Sequence, residues 1–239
     1  MKNTIFIDWD DTLYPSTWVH NNNIDCTNKD DINKYKLFFL ELDKSITNLL
    51  EILTDDNDNI VYIVTNANKK WVELCLSILP KTKEIIEKDV IILSAKDNYN
   101  QKTNSIMDWK VLTFRDVVND IYINNALELG GLYTPFTPLS HPSHTSYPSR
   151  SSQFIGNVVS IGDSNYEYTA LLNLYEYFKK NGFRLFNTSK KKEKEYLLKN
   201  VKLVDKPEFD ILINQLYVLK KNINAIIEQK NVVDILLEP

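Results

Sequence analysis

Four short apolar runs, rich in β-branched residues, punctuate the chain at positions 4–7, 60–64, 90–93 and 158–161. None alternates apolar with polar residues, as a strand with one wet face would. Unbroken runs of this length fit parallel strands covered on both faces. The segments between them carry helical spacing. Leu37, Leu40, Ile46, Leu49, Leu50 and Leu53 predict one apolar stripe, and Val72, Leu74, Leu76 and Leu79 predict a shorter helix that stops at Pro80. Farther on, the pattern predicts a helix over 166–180, a fifth strand over 183–186, a solvated charged helix face over 190–195 and another strand over 201–204. Pro207 fits the first position of a last helix, whose stripe runs through Phe209, Ile213, Leu216, Leu219, Ile223, Ile226 and Ile227. That stripe is expected to dock on the sheet, with binding of a partner as the alternative. No internal repeat is visible.

Alternation of strand and helix predicts an α/β fold: a three-layer α/β/α Rossmann-like parallel sheet in a single domain spanning 1–239. The residues that terminate each apolar run then matter, because ligand sites in open parallel sheets lie at the carboxyl ends of the strands. The first run ends at Asp8, the second at Thr65-Asn66, the third at Ser94 and the fourth at Gly162-Asp163-Ser164. Any one of these is an ordinary polar turn after a strand. Together they deliver carboxylates and hydroxyls to one edge. Asp8 and Asp10 are two residues apart in extended chain, so their side chains point the same way and repel. Such a pair needs a cation, a shared proton or a division of labour, and a hard divalent ion such as Mg²⁺ is the simple solution.

Composition removes several function classes. With 28 basic against 32 acidic side chains the formal net charge is −4, and lysines are dispersed among acids, which argues against nucleic acid as the main partner. No run approaches the roughly 20 apolar residues of a membrane span, and the first run is cut at Asp8 before a secretory signal could form. Cys26 and Cys75 show neither metal-ligand spacing nor a disulfide framework, so a reducing, cytoplasmic setting is expected. Asn, Lys and Ile together supply 76 of 239 residues. All three have AT-rich codons, so lysine runs and asparagine clusters carry little weight as motifs. Positions 133–153 hold 13 Pro, Ser or Thr among 21 residues, together with His141 and His144. No apolar period exists there. An irregular loop insertion within the domain is expected, with the two histidines solvated.

Residues 5–13, Ile-Phe-Ile-Asp-Trp-Asp-Asp-Thr-Leu, resemble the first motif of the haloacid dehalogenase (HAD) superfamily of phosphohydrolases: an apolar strand followed by Asp-x-Asp-x-Thr. Val64-Thr65-Asn66 is similar to the second motif, and Ile161-Gly162-Asp163-Ser164-Asn165-Tyr166-Glu167 to the fourth, in the right order over 4–167. The resemblance implies a small-cap or capless Mg²⁺-dependent phosphatase. It implies Asp8 as nucleophile, giving an aspartyl-phosphate, and Asp10 as general acid and then general base. It further implies Mg²⁺ held by Asp8, the main-chain carbonyl of Asp10 and Asp163. Glu167 would act through water or orient the motif lysine. Thr65 and the Asn66 N–H would bind the transferring phosphoryl group. The third motif is a lysine on the helix before the fourth strand. Lys110 is the favoured candidate, with Lys96 the main competitor and Lys102 a third.

Neither interval that could hold a cap, 11–60 or 66–110, is long enough for a large one. The first holds only a polar loop, 15–31, and one helix. An open site would suit a phosphoprotein or another extended phosphorylated substrate, while nucleotides and phosphorylated nucleic-acid ends stay among the candidates. Trp9, Tyr14 and Trp18 lie near the nucleophile, as substrate contacts or as core. Two other functions share the motifs: a phosphotransferase using the same site, and a catalytically silent binding or scaffold protein.

Overall fold

A computed structural model describes residues 2–128, 155–181 and 197–237. In chain order the elements are β1 (Lys2–Ile7), α1 (Ser16–Asn21), α2 (Lys29–Lys34), α3 (Lys36–Asp55), β2 (Asn59–Thr65), α4 (Lys69–Leu76), α5 (Pro80–Asp89), β3 (Val90–Ser94), α6 (Ala95–Tyr99), α7 (Ile106–Glu128), β4 (Ile155–Gly162), α8 (Asn165–Asn181), β5 (Leu197–Lys202), α9 (Phe209–Glu228) and β6 (Val233–Leu236). The six strands form one parallel sheet in the order β3-β2-β1-β4-β5-β6.

The four sequence runs become β1 to β4, and their continuous apolar character has the expected cause. Successive side chains of a strand point to opposite faces. Ile5, Ile7, Val61, Ile63, Val159, Ile161 and Val201 bury against α3 and α9 on one face. Phe6, Tyr62, Val64, Val158 and Leu198 bury against α7 and α8 on the other. The result is three layers, as expected, with β1 at the centre. The register pairs Ile7 with both Ile63 and Ile161, and Thr65 with Ser94, so these strands end at one edge.

Several expectations need correction. On α3 the buried stripe runs through Phe39, Leu42, Ile46, Leu49, Leu50 and Leu53, whereas Leu37 and Leu40 are 79% and 53% exposed. Those two fall off the 3.6-residue period that the later leucines define. Pro80 does not merely stop a helix. It opens α5, where its missing N–H costs nothing. The buried carboxylate of Asp43 on α3 caps that new helix, accepting from Thr82 N at 2.8 Å and Lys81 N at 3.2 Å. The polar stretch 15–31 contains α1 and the start of α2, the latter capped by Asn28, which accepts from Asp30 N at 2.8 Å. Pro207 precedes the last helix, which begins at Phe209 after Glu208.

β5 covers 197–202, not 201–204. Lys199 and Asn200 hide its pattern, and Lys199 is buried because its ammonium donates to the carbonyls of Ile227 and Gln229. The apolar pattern does not predict β6, which adds a last strand at the sheet edge. The expected strand at 183–186, the charged face at 190–195 and the loop at 133–153 with its histidines lie outside the described residues. Among the described residues, no helix is long and apolar enough to cross a membrane.

Candidate active site

Immediately after β1 the chain turns back on itself. Leu13 N and Tyr14 N both donate to Trp9 O, and Asp11 N donates to Tyr14 O at 2.7 Å. Asp11 adopts the left-handed region, φ 56°, which an Asp tolerates better than most residues. Its carboxylate accepts from Thr17 N at 2.7 Å and Thr17 Oγ1 at 2.5 Å, tying the turn to the start of α1. Trp9 and Tyr14 are fully buried, and Trp18 is 9% exposed. All three are core side chains; Trp9 stacks on Tyr14 within the turn, while Trp18 packs against Tyr35, Phe38 and Phe209. The thiols of Cys26 and Cys75 are free and buried, with Cys26 Sγ 3.1 Å from the Tyr14 hydroxyl.

The turn presents Asp8, Asp10 and Asp11 to a cleft of about 600 Å³, whose lining also includes Asn66, Lys110 and Asp163. Asp8 is 6% exposed. Its Oδ1 accepts from Trp9 N at 2.8 Å and from Lys110 Nζ at 2.7 Å, and Oδ2 takes neither. Lys110, on α7, is 1% exposed, and its ammonium also pairs with Glu167 Oε1. Glu167 Oε2 accepts from Ser164 Oγ at 2.7 Å and Ser164 N at 3.2 Å, so both its oxygens are engaged. Gly162 makes room for this arrangement: a Cβ there would lie 2.5 Å from Glu167 Oε2. Asp163 exchanges two hydrogen bonds with Thr12. Its N–H donates to Thr12 Oγ1 at 2.9 Å, and its Oδ1 accepts from that hydroxyl at 3.3 Å.

The three candidate lysines lie in different surroundings. Lys110 touches Asp8, while Lys102 Nζ lies 4.7 Å from the Tyr99 ring centre and Lys96 sits in the short helix α6. Thr65 is fully buried behind the lining, where it donates to Asp10 Oδ2 at 3.0 Å and accepts from Ala67 N at 2.9 Å. Neither carboxamide atom of Asn66 has a hydrogen-bond partner, although both are buried. Two further residues join the site without any signal in the sequence. Ser16 Oγ and Trp71 Nε1 donate to Asp10 Oδ1 at 2.5 and 2.8 Å. Nothing in the local sequence marks either residue, because they reach Asp10 from α1 and α4. Ser164 and Thr12 lie inside the quoted motifs, and their geometry gives each a partner.

Charge in the site is unbalanced. Asp8, Asp163 and Glu167 are all buried and offer oxygens within 4.8 Å of one another. Lys110 is the ammonium in contact with Asp8 and Glu167, while Lys202 and Lys206 also line the cleft, Lys202 donating to the Asp163 carbonyl. Burial, with the neighbouring Glu167 and Asp163 charges, holds the Asp8 carboxyl well above its ordinary value, against the opposing pull of Lys110. Burial and then Glu167 push Asp163 up to about 7. For Glu167 the pull of Lys110 outweighs burial and lowers its value. Burial works to lower the Lys110 value, yet Asp8 and Glu167 together raise it, so the lysine stays charged. With Glu167 committed to Lys110 and Ser164, burial and mutual repulsion disfavour the ionised forms of Asp8 and Asp163. Two carboxylates so placed are hard oxygen ligands of the kind that holds a divalent cation such as Mg²⁺. Comparison with protein-family models, curated proteins and solved structures returned no match for this chain.

Proposed function

We propose that the chain is a phosphatase of the haloacid dehalogenase type, hydrolysing phosphate monoesters through an aspartyl-phosphate on Asp8. The observation that carries this reading is the convergence on one cleft of Asp8 with its Lys110 partner, the second carboxylate Asp10 and the distant Asp163. A carboxylate nucleophile cannot approach an anionic phosphate without positive charge nearby. Mg²⁺ held by Asp8, Asp163 and the Asp10 carbonyl would supply that charge together with Lys110.

The remaining chemistry belongs to side chains. Asp8 Oδ2, the oxygen without the two donors, forms a bond to phosphorus as the ester P–O bond breaks. Asp10 gives its proton to the departing oxygen. In the second half Asp10 takes a proton from water, the water oxygen bonds phosphorus, and the P–O bond to Asp8 breaks. Inorganic phosphate leaves and both carboxyl groups return to their starting states. The unpartnered carboxamide of Asn66 is available for a phosphoryl oxygen, whereas the Thr65 hydroxyl, donated to Asp10 Oδ2, must turn away from it to reach one. Glu167 fixes Lys110 from behind. The intervals after β1 and β2 are occupied by helices of the three-layer fold itself, which supports a phosphoprotein or another extended substrate.

The test is hydrolysis of p-nitrophenyl phosphate by the wild type and by Asp8→Asn, with Mg²⁺ and with chelator. Turnover that needs the metal and disappears in Asp8→Asn is the expected result. Turnover that survives in Asp8→Asn overturns the proposal. Failure of the folded wild type to turn over the ester or to trap beryllium fluoride on Asp8 also overturns it, in favour of a binding protein.

A further inference from the structure

Asp10 is held by an asymmetric set of donors. Oδ1 accepts from Ser16 Oγ at 2.5 Å and Trp71 Nε1 at 2.8 Å, whereas Oδ2 accepts from Thr65 Oγ1 at 3.0 Å. Two hydrogen bonds to one oxygen localise negative charge there and leave Oδ2, with one donor, the less constrained oxygen. Trp71 is itself firmly placed. Its main-chain N–H donates to the Asn68 cap at 2.8 Å, and its ring meets Tyr14 edge to face at 5.9 Å. Tyr14 belongs to the same turn that carries Asp10. The indole therefore spans from α4 to the turn and fixes the carboxylate from two sides.

We infer that Trp71, with Ser16, is a positioning residue that locks Asp10 Oδ1 so that Oδ2 alone exchanges a proton with substrate. This inference rests on the phosphatase reading. Thr65 completes the device. Its hydroxyl proton lies on Asp10 Oδ2 while its oxygen accepts from Ala67 N. An arriving phosphoryl oxygen offers that proton a new acceptor, and one hydroxyl rotation then releases Oδ2. The Oδ2–H bond breaks, the leaving oxygen gains the proton as its bond to phosphorus breaks, and Asp8 bonds phosphorus. Ser16 and Trp71 keep their own protons throughout.

General acid help matters most when the leaving group is poor, which gives a readout that a merely structural role would not move. The experiment measures kcat/KM of the full chain with Mg²⁺ for p-nitrophenyl phosphate and for an alkyl phosphate, in wild type, Trp71→Phe and Ser16→Ala. Trp71→Phe keeps an aromatic ring and loses the N–H. The expected result is a loss of about 10- to 100-fold on the alkyl ester against no more than about threefold on the aryl ester. Ser16→Ala should show the same split and covers the case in which Trp71→Phe folds poorly. Equal losses on both esters, or no loss on either, overturn the positioning role while leaving the phosphatase reading intact. A wild type inactive on both esters, or one matched by Asp8→Asn, overturns both.

Discussion

Replacing Lys110 by Met removes the ammonium that pairs with the buried carboxylates of Asp8 and Glu167. The side chain is 1% exposed and lies 2.7 Å from Asp8 while also pairing with Glu167. Met fills nearly the same volume, so the effect is electrostatic. Breaking a buried pair by removing one partner costs about 3–5 kcal/mol, because the survivors are left charged and desolvated. For a chain of this length each kcal/mol moves the midpoint by about 2–4 °C, so the melting temperature at pH 8 should fall by roughly 6–20 °C. The pH dependence adds a second check. Lys110 holds Glu167 below its ordinary value of 4.5, so the native pair is fully formed above that value and is lost as pH falls through the lowered one. Without Lys110, burial lifts Glu167 and Asp8 instead, and below those raised values both become neutral and cheap to bury. The gap between wild type and variant should therefore be widest at pH 8 and shrink toward pH 5. Differential scanning calorimetry in chelator, across that range, measures it directly. A gap that is absent at pH 8, or constant with pH, would refute the claim that Lys110 neutralises buried carboxylates.

Other consequences can be checked in parallel. Asp163 holds its proton to about 7 in the folded chain but to 3.8 when unfolded, so stability without metal should fall as pH rises from about 4 to about 7. Mg²⁺ should then raise the melting temperature more at pH 8 than at pH 6, and an equal rise would count against a carboxylate site. Gly162→Ala drives a Cβ into the Glu167 carboxyl, and urea titration should show a loss of about 1–3 kcal/mol together with weakened aryl phosphate turnover. Wild-type values for both would mean Glu167 is not fixed there. Asp43→Ala uncaps α5 and should cost about 1–2 kcal/mol by the same titration, while Asp43→Asn, which keeps an acceptor, should recover most of it. Equal losses in the two variants would exclude capping as the cause.

The sheet is legible in the sequence because its strands are buried on both faces and therefore read as unbroken apolar runs. Asp8, Asp10, Thr65 and Asp163 stand out for a related reason: each comes after such a run by no more than a few residues, and parallel strands share an edge. Lys110 can be favoured but not fixed by pattern, since a lysine-rich chain offers several candidates and only the packing of α7 selects one. β5 escapes the pattern because Lys199, which would ordinarily mark an exposed position, is satisfied by two carbonyls at the end of α9. Leu37 and Leu40 mislead in the opposite sense, being apolar yet exposed. Ser16 and Trp71 are invisible because their link to Asp10 is made by tertiary packing alone.

The central place of β1 also sets the order in which the molecule can be finished. Its neighbours β2 and β4 begin at residues 59 and 155, so β1 waits for its second partner until long after β2 and β3 have been made. At about 5–20 residues per second, roughly 8–30 s separate synthesis of Asp8 from synthesis of β4. The hydrogen bond from Thr12 to Asp163 closes a separation of 151 residues, and the pair from Lys110 to Glu167 spans 57. Such non-local closure slows folding. A nascent chain halted before β4 can pair β1 with β2 and β2 with β3 but presents Asp8 on an open sheet edge, without Asp163 or Glu167. The carboxylates thus meet only after most of the sheet exists, and the chain acquires its repulsive centre when the surrounding core can already hold it.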